Sequence, residues 1–331
     1  MNDRVKDTIK RREFLGRSAS LGLLAAVPFW PPDRFGFTSA LGAVPNCAVE
    51  DKLAAPAASP LKPPATGSIP VAFVISDGAV IIDFCGPWEV FENAAITASG
   101  SMRHDLFQLY TVAETSSPIS ASGGMKIVPN YTFATAPAPK VIVIPAQRGA
   151  SDAMVEWIRK SSKTADVTMS VCTGAFVLAK TGLLSGKSAT THHGAYRNLA
   201  LQYPDIHVKR GARYVEEGNL ATAGGLSSGI DLALRVVERY FGREVAVSTA
   251  YELEYQGQGW MDPNSNAVYA KARVSTDEHP ICPVCEMDVD KASAPKSVYK
   301  GKTYYFCMPS HKELFDASPD KFIDTGNTRA A

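Results

Sequence analysis

The chain has 331 residues, a formal net charge of +1 at pH 7, 45% hydrophobic residues and 20% charged residues. This composition is typical of a globular protein with room for one large domain and a smaller one. There is no excess of basic residues to attract nucleic acid. No uncharged apolar run reaches the length of about 18 residues that a membrane span needs.

The first residues indicate an export signal. An arginine pair, Arg11 and Arg12, is followed by Phe-Leu and by a weakly apolar segment. This arrangement is typical of a Tat signal peptide, although arginine pairs also occur on solvated helices. We therefore predict a removable Tat signal over residues 1–45, an Ala/Pro-rich linker over residues 46–67, and a periplasmic or otherwise exported protein.

Between residues 69 and 256, short apolar strands alternate with amphipathic helices. Such alternation predicts an α/β domain, in which a parallel sheet is covered by helices on both faces. Ligand sites in such sheets form beyond the carboxyl ends of the strands. A site is therefore expected among the polar and nucleophilic residues that follow predicted strands.

Cys172 lies at the corner between a predicted strand, residues 167–171, and a predicted helix, residues 173–180. The start of a helix presents free N–H groups and the positive end of the helix dipole, and both favour a thiolate over a thiol. This is the position of a nucleophile elbow, with cysteine in place of serine. Cys172 is therefore the predicted nucleophile, and a buried structural cysteine is the alternative.

Asp83 is the first polar candidate after the opening strand. Because proline suits the first turn of a helix, Gly86-Pro87 is expected to start a helix over residues 88–98. Asp83 is then predicted to lie in the loop beyond the first strand. The alternative is that its carboxylate caps the following helix.

Four motifs in chain order resemble the ThiJ/PfpI superfamily, and in particular its isonitrile hydratase-like branch. The motifs are DFCGPWEVF at 83–91, SVCTGA at 170–175, LLSGKSATTH at 183–192 and AGGLSSGIDLA at 223–233. The resemblance covers residues 68–256. It implies a flavodoxin-like, glutamine amidotransferase-like parallel sheet sandwich.

The resemblance also implies roles for three residues. Cys172 would be the nucleophile, Asp83 the acid/base carboxyl that faces it, and Thr173 a residue that orients or polarises the substrate. A carboxyl held against a thiolate resists ionisation and can therefore donate a proton. In proteolytic members a histidine directly follows the nucleophile. Thr173 stands there in this chain, so peptidase activity is not expected.

Four further residues are candidates for substrate binding. His192 and His193 follow a short predicted strand near the same sheet edge, and core histidines are the alternative. Ala146 and Gln147 stand where the family has Gly-Gly, whose backbone N–H groups face the nucleophile. Donors of this kind survive a change from glycine to alanine only where φ is negative.

A second, smaller domain is predicted over residues 278–324, after a linker over residues 257–277 and before a tail over residues 325–331. Two spaced pairs of metal-ligating residues mark it: Cys282 with Cys285, and Cys307 with His311. Four such nitrogen and sulfur ligands would close a tetrahedral site. A segment this short needs a metal ion or another cross-link to be stable, since its hydrophobic core is small. A Cys282–Cys285 or Cys285–Cys307 disulfide is the alternative in an oxidising compartment.

The second segment resembles the YHS domain, which is associated with metal handling. We expect a treble-clef-like, metal-stapled YHS domain. Zinc is the first expectation for its metal, and copper is the second because methionine sulfur nearby suits Cu(I). No cofactor is expected in the large domain.

The sequence therefore predicts an exported, cysteine-dependent hydratase or lyase that acts on a small electrophilic molecule. The resemblance implies an isonitrile as substrate, with an α-oxoaldehyde as runner-up, and a homodimer. The alternative is a periplasmic metal- or redox-sensing protein in which Cys172 is an oxidisable thiol. A nucleic-acid partner is not expected, because no helix-turn-helix follows the large domain and export removes the protein from DNA.

Overall fold

The computed structural model describes residues 59–98, 101–271 and 273–323. The predicted Tat signal, the first part of the predicted linker and the predicted tail lie outside the described residues. Within the described ranges, no helix has the length and apolar character needed to cross a bilayer.

Fifteen strands and seven helices follow one another in the described part of the chain. The strands are β1 (Ile69–Val74), β2 (Ile96–Ala98), β3 (Ser101–Arg103), β4 (Phe107–Ala113), β5 (Ile119–Ser120), β6 (Lys126–Ile127), β7 (Tyr131–Thr132), β8 (Val141–Ile144), β9 (Val167–Val171), β10 (Ser188–Ala189), β11 (His207–Val208), β12 (Tyr214–Glu217), β13 (Leu220–Ala223), β14 (Lys296–Tyr299) and β15 (Lys302–Tyr305). The helices are α1 (Ile81–Asn93), α2 (Asp152–Ser161), α3 (Gly174–Lys180), α4 (Tyr196–Gln202), α5 (Ser228–Phe241), α6 (Arg243–Glu252) and α7 (Pro309–Ala317).

A seven-stranded sheet forms the centre of the large domain, in the order β12-β13-β9-β8-β1-β4-β7. Its neighbouring strands are parallel except for β12 and β13. Successive side chains point to opposite faces. In β1, Val71 and Phe73 join one apolar cluster, and Ala72 and Val74 join the other.

Helices bury both faces of this sheet. Residues of α1, α5 and α6 pack in the first cluster, and residues of α2, α3 and α4 pack in the second. Burial on both faces explains why the central strands are almost continuously apolar. The predicted α/β class, a parallel sheet sandwich with a small second domain, is confirmed.

Helix α1 begins earlier than the sequence predicts. Asp83 lies in its first turn rather than in the preceding loop, and Pro87 lies inside the helix. The last predicted residues of this helix form strand β2 instead. The Ile81 N–H donates to Ser122 Oγ at 3.1 Å. This partner supports the helix start, and it lies too far away in sequence for local patterns to reveal it.

The small domain combines the hairpin β14–β15, helix α7 and a core of three phenylalanines, Phe306, Phe315 and Phe322. The preceding segment, predicted as a linker, contacts the large domain. Trp260 is 2% exposed, and its carbonyl accepts a hydrogen bond from the Tyr214 hydroxyl at 2.8 Å.

Candidate active site and metal centre

Three neighbouring strands, β8, β9 and β13, run parallel and end at the same edge of the sheet. The residues that follow them therefore meet. Ala146 comes two residues after β8, Cys172 directly follows β9, and Leu226 comes three residues after β13. This edge is where ligand sites of open parallel sheets form.

Cys172 occupies a sharp turn between β9 and α3. Its φ is +57°, a left-handed conformation that non-glycine residues rarely adopt. A Cβ on Gly174 would lie 2.2 Å from the Ile144 carbonyl oxygen, so only glycine allows α3 to start this close to β8. The turn therefore has the geometry of a nucleophile elbow.

The sulfur of Cys172 is in contact with hydrogen-bond donors. The N–H groups of Thr173 and Leu226 and the Thr173 hydroxyl lie near it and favour its ionised form. Burial and the neighbouring Asp83 carboxyl outweigh these donors and raise the pKa of Cys172 to about 11. The resting sulfur is therefore a thiol. The sequence-based expectation of a thiolate is wrong, since it neglected desolvation.

Asp83 is fully buried and faces the Cys172 thiol. Its Oδ2 accepts a hydrogen bond from the Ala146 N–H at 3.1 Å, whereas its Oδ1 has no hydrogen-bond partner in the part of the chain that the structure describes. Burial raises the pKa of Asp83 to about 7, although the Ala146 N–H and the nearby Cys172 side chain act in the opposite direction. The carboxyl does not cap its helix, because Val80 occupies the cap position.

Ala146 and Gln147 are predicted to bind substrate, but in the structure both form hydrogen bonds with other residues of the domain. The Ala146 φ is not positive, so its N–H is a usable donor, but that donor is engaged by Asp83. The Gln147 side chain accepts from Ser76 Oγ at 2.7 Å and donates to the Val74 carbonyl at 3.2 Å. Gln147 is thus fixed to the end of β1.

His192 and His193 lie side by side, with ring centroids 4.2 Å apart. His192 Nδ1 accepts from the Gly194 N–H at 3.1 Å, and a Cβ on Gly225 would touch its ring. The His193 ring stacks on Tyr269 at 4.6 Å. Burial lowers the pKa of both imidazoles, so both are neutral at pH 7. His192 borders the loop that carries Leu226, while His193 faces the segment before the small domain.

Leu226 is the site residue that sequence analysis missed. Its φ is +48°, and its N–H lies near the Cys172 sulfur and favours the ionised form of the thiol. The sequence signal is the glycine pair at 224 and 225, which directly follows β13. A Cβ at either glycine would meet neighbouring side-chain atoms within 2.8 Å, so the loop can pass close to the site only without side chains there.

A cavity of about 380 Å³ lies beside the start of α3, and neither Cys172 nor Asp83 lines it directly. Thr173 and Gln147 line it, together with Phe176 and Asn198 of the helices that follow. Met287 of the small domain also lines it. The volume falls in the range of small-molecule pockets, about 300–1,000 Å³.

The four predicted metal ligands come together in the small domain. The ligand atoms of Cys282, Cys285, Cys307 and His311 all lie within 4.8 Å of one another. The Cys307 sulfur is 3.3 Å and the Cys282 sulfur 3.6 Å from His311 Nδ1. Ligands around a tetrahedral zinc ion are about 3.4–3.8 Å apart, given Zn–S and Zn–N bonds of about 2.3 and 2.1 Å. The set therefore fits a Cys₃His metal site.

The disulfide alternative is not realised in the small domain. Cys282, Cys285 and Cys307 are free thiols, and the Cys285 and Cys307 sulfurs lie 3.5 Å apart, beyond bonding distance of about 2.05 Å. A hydrogen bond from Cys285 lowers the pKa of Cys282 to about 4. His311 comes from the first turn of α7, as expected from the sequence.

The fold and the site together define an α/β protein with a cysteine at a nucleophile elbow. The DJ-1/PfpI family matches residues 70–239, and the YHS domain matches residues 281–325. The chain thus belongs to the DJ-1/PfpI family and carries a C-terminal YHS domain.

Individual relatives differ in what they do. An isonitrile hydratase from Pseudomonas putida is 32% identical over 216 residues, which cover 62% of this chain and 89% of that protein. The HTH-type transcriptional regulator CdhR from Pseudomonas aeruginosa is 30% identical over 152 residues, 44% of each chain. A crystal structure of a ThiJ/PfpI family protein from Pseudomonas syringae superposes with a TM-score of 0.51 at 25% identity, covering 61% of this chain and 84% of that one.

Proposed function

We propose that the large domain is a cysteine-dependent hydratase that converts an isonitrile, R–NC, into the N-substituted formamide. The observation that carries the proposal is the buried Asp83 carboxyl facing the Cys172 thiol, with one carboxyl oxygen unpartnered among the described residues. The similarity to an isonitrile hydratase supports the substrate class.

In the first half of the reaction, the sulfur adds to the terminal carbon of the isonitrile. Asp83, whose pKa of about 7 leaves it partly ionised at neutral pH, takes the thiol proton as the S–C bond forms. The same proton passes from Asp83 to the isonitrile carbon, which becomes a C–H. The product is a thioimidate, R–N=CH–S, on Cys172.

In the second half, water resolves this adduct. Water adds to the imidate carbon, one of its protons goes to the nitrogen, and the C–S bond breaks. The remaining proton returns to the sulfur through Asp83, so the enzyme ends in its starting state. The donors from Thr173 and Leu226 stabilise negative charge on the sulfur as it leaves.

The test is hydration of a small isonitrile panel, with an α-oxoaldehyde as the competing substrate. Formamide is measured by proton NMR for the full chain, for Cys172→Ala and for Cys85→Ala. Cys85 is the matched control, since it is the other described cysteine of the large domain and packs against its apolar cluster. We expect turnover to be lost only in Cys172→Ala. Unchanged turnover in that variant would overturn the proposal.

A metal- or redox-sensing role is the second candidate. It is favoured by the regulator among the relatives and by the Cys/His cluster of the small domain. Iodoacetamide separates the two functions. Labelling of Cys172 with parallel loss of hydration supports the enzyme, whereas metal-dependent partner binding without hydration supports the sensor.

We also propose that the protein is exported through the Tat pathway, that its YHS domain holds zinc, and that it is a homodimer, as the resemblance implies. The pair Arg11-Arg12 with the following Phe-Leu supports export. Replacing both arginines by lysine should retain the protein inside the cell in a fractionation experiment. Sedimentation of the mature chain measures the oligomeric state.

A further inference from the structure

The cavity beside the nucleophile is built from both domains. Thr173, which directly follows Cys172, lines the cavity, and so does Gln147, which directly follows the Ala146 N–H that binds Asp83. The cavity therefore borders the turns that carry the reacting residues. Met287 of the YHS domain lines the same cavity. The large domain alone therefore lacks one part of the pocket wall.

Met287 is attached to the metal loop, which we define as residues 282–287. The Cys282 N–H donates to the Met287 carbonyl at 2.8 Å, and the Glu286 N–H donates to the Cys282 carbonyl at 2.8 Å. Cys285, another of the four clustered ligands, lies two residues before Met287. The loop that would hold the ion thus also carries the pocket residue.

Glu286 fixes the metal loop to the large domain. Glu286 is 7% exposed, and its φ is +64°, a conformation that is rare for a non-glycine residue. Its carboxylate accepts two hydrogen bonds from the Arg210 guanidinium, at 2.8 and 3.4 Å. Arg197 of α4 lies 4.0 Å from the same carboxylate. A bidentate arginine–carboxylate pair of this kind fixes the orientation of the two side chains as well as the distance between them.

We propose, building on the hydratase function above, that Met287 is a specificity-determining residue that contacts the N-substituent of the substrate, and that Glu286 is the positioning residue that holds it there. Phe176 lines the same cavity as Met287. A thioether and a ring favour an apolar or aromatic substituent, since sulfur packs well against aromatic edges. The substrate class is thus an isonitrile with a compact apolar or aryl group.

Selectivity between substrates tests the role of Met287. The ratio of kcat/KM for benzyl isonitrile to that for methyl isonitrile is measured in the zinc-loaded full chain. We expect Met287→Ala to lower this ratio by about tenfold, the usual effect of lost apolar pocket contacts. Met308→Ala is the matched control, because Met308 is similarly exposed in the same domain and does not line the cavity. An unchanged ratio in Met287→Ala would contradict the proposal.

A second measurement does not depend on hydratase activity. Cys172 is alkylated with N-benzyl iodoacetamide in protein labelled with methyl-¹³C methionine, and the site of the label is verified by mass spectrometry. The Met287 methyl signal, assigned from Met287→Ala, should shift, whereas the Met308 signal should not. In the Glu286→Gln variant, the Met287 methyl signal should no longer shift when Cys172 is labelled. The variant should still bind zinc as the wild type does.

The two proposals fail separately. A Met287 signal that ignores the label at Cys172 overturns the composite pocket, even if the enzyme hydrates isonitriles. Full turnover in Cys172→Ala overturns the hydratase, even if the Met287 signal responds to the label.

Discussion

The Asp83 carboxyl and the Cys172 thiol share a buried site in which burial raises the pKa of both, to about 7 and about 11. At neutral pH the thiol is therefore protonated and the carboxyl is partly ionised. The sulfur becomes a strong nucleophile only when its proton moves to the carboxylate. Chemistry at this site is thus initiated by proton transfer between these two residues rather than by a standing thiolate.

Replacing Asp83 by asparagine should separate catalysis from thiol reactivity. We expect kcat/KM for hydration to fall by about 10²–10⁴-fold, since the proton carrier is lost. The midpoint of the pH profile for iodoacetamide labelling of Cys172 should move to lower pH, because the carboxylate that disfavours the thiolate is gone. Glu92→Gln, an exposed change on the same helix, should alter neither property. An unchanged labelling midpoint would argue against contact between the two groups.

The raised pKa of Asp83 also predicts how stability depends on pH. Because its folded-state pKa of about 7 exceeds the ordinary value of 3.8, the folded protein binds this proton more tightly than the unfolded chain does. This group therefore reduces the free energy of unfolding progressively between about pH 4 and pH 7, and by a constant amount above that.

The comparison with Asp83→Asn isolates this contribution. Urea unfolding at pH 5 and pH 8 should show that the variant gains stability relative to the wild type between these two conditions, by roughly 1–3 kcal/mol. Other titrating groups contribute equally to both proteins and cancel. An equal pH dependence in the two proteins would refute the shifted pKa.

Gly174 should tolerate no side chain. A Cβ there would lie 2.2 Å from the Ile144 carbonyl oxygen and 2.9 Å from the Pro145 carbonyl, and both neighbours are backbone. We expect Gly174→Ala to lower the free energy of unfolding by about 3 kcal/mol or more. Gly86→Ala is the control within α1: its Cβ would meet the Ile230 side chain, which can rotate. Thermal or urea unfolding of the two variants measures the difference.

The four clustered ligands predict a metal-dependent small domain. We expect about one zinc per chain, lost in His311→Ala and retained in His279→Ala, an exposed histidine outside the cluster. Removal of the ion by a chelator should make residues 278–323 sensitive to protease, since metal binding contributes much of the folding free energy of such domains. Elemental analysis and limited proteolysis measure both effects. A zinc content that survives His311→Ala would place the ion elsewhere.

Sequence patterns predicted the parts of the site that depend on local order. The corner at Cys172, the neighbouring Thr173 and the ligand spacing in the small domain all follow from short-range rules. The start of α1 does not follow from such rules, because the hydrogen bond that supports it comes from Ser122, far along the chain. The donor from Leu226 and the direction of the Cys172 pKa shift depend on how three strands meet, which no local pattern encodes.

The hydrogen bond from the Ala146 N–H to Asp83 anchors the carboxyl to the loop after β8, and β8 is paired along its length with β9, which carries the cysteine. The acid/base group comes from α1 and the nucleophile from the turn after β9, and the loop after β8 therefore links the two.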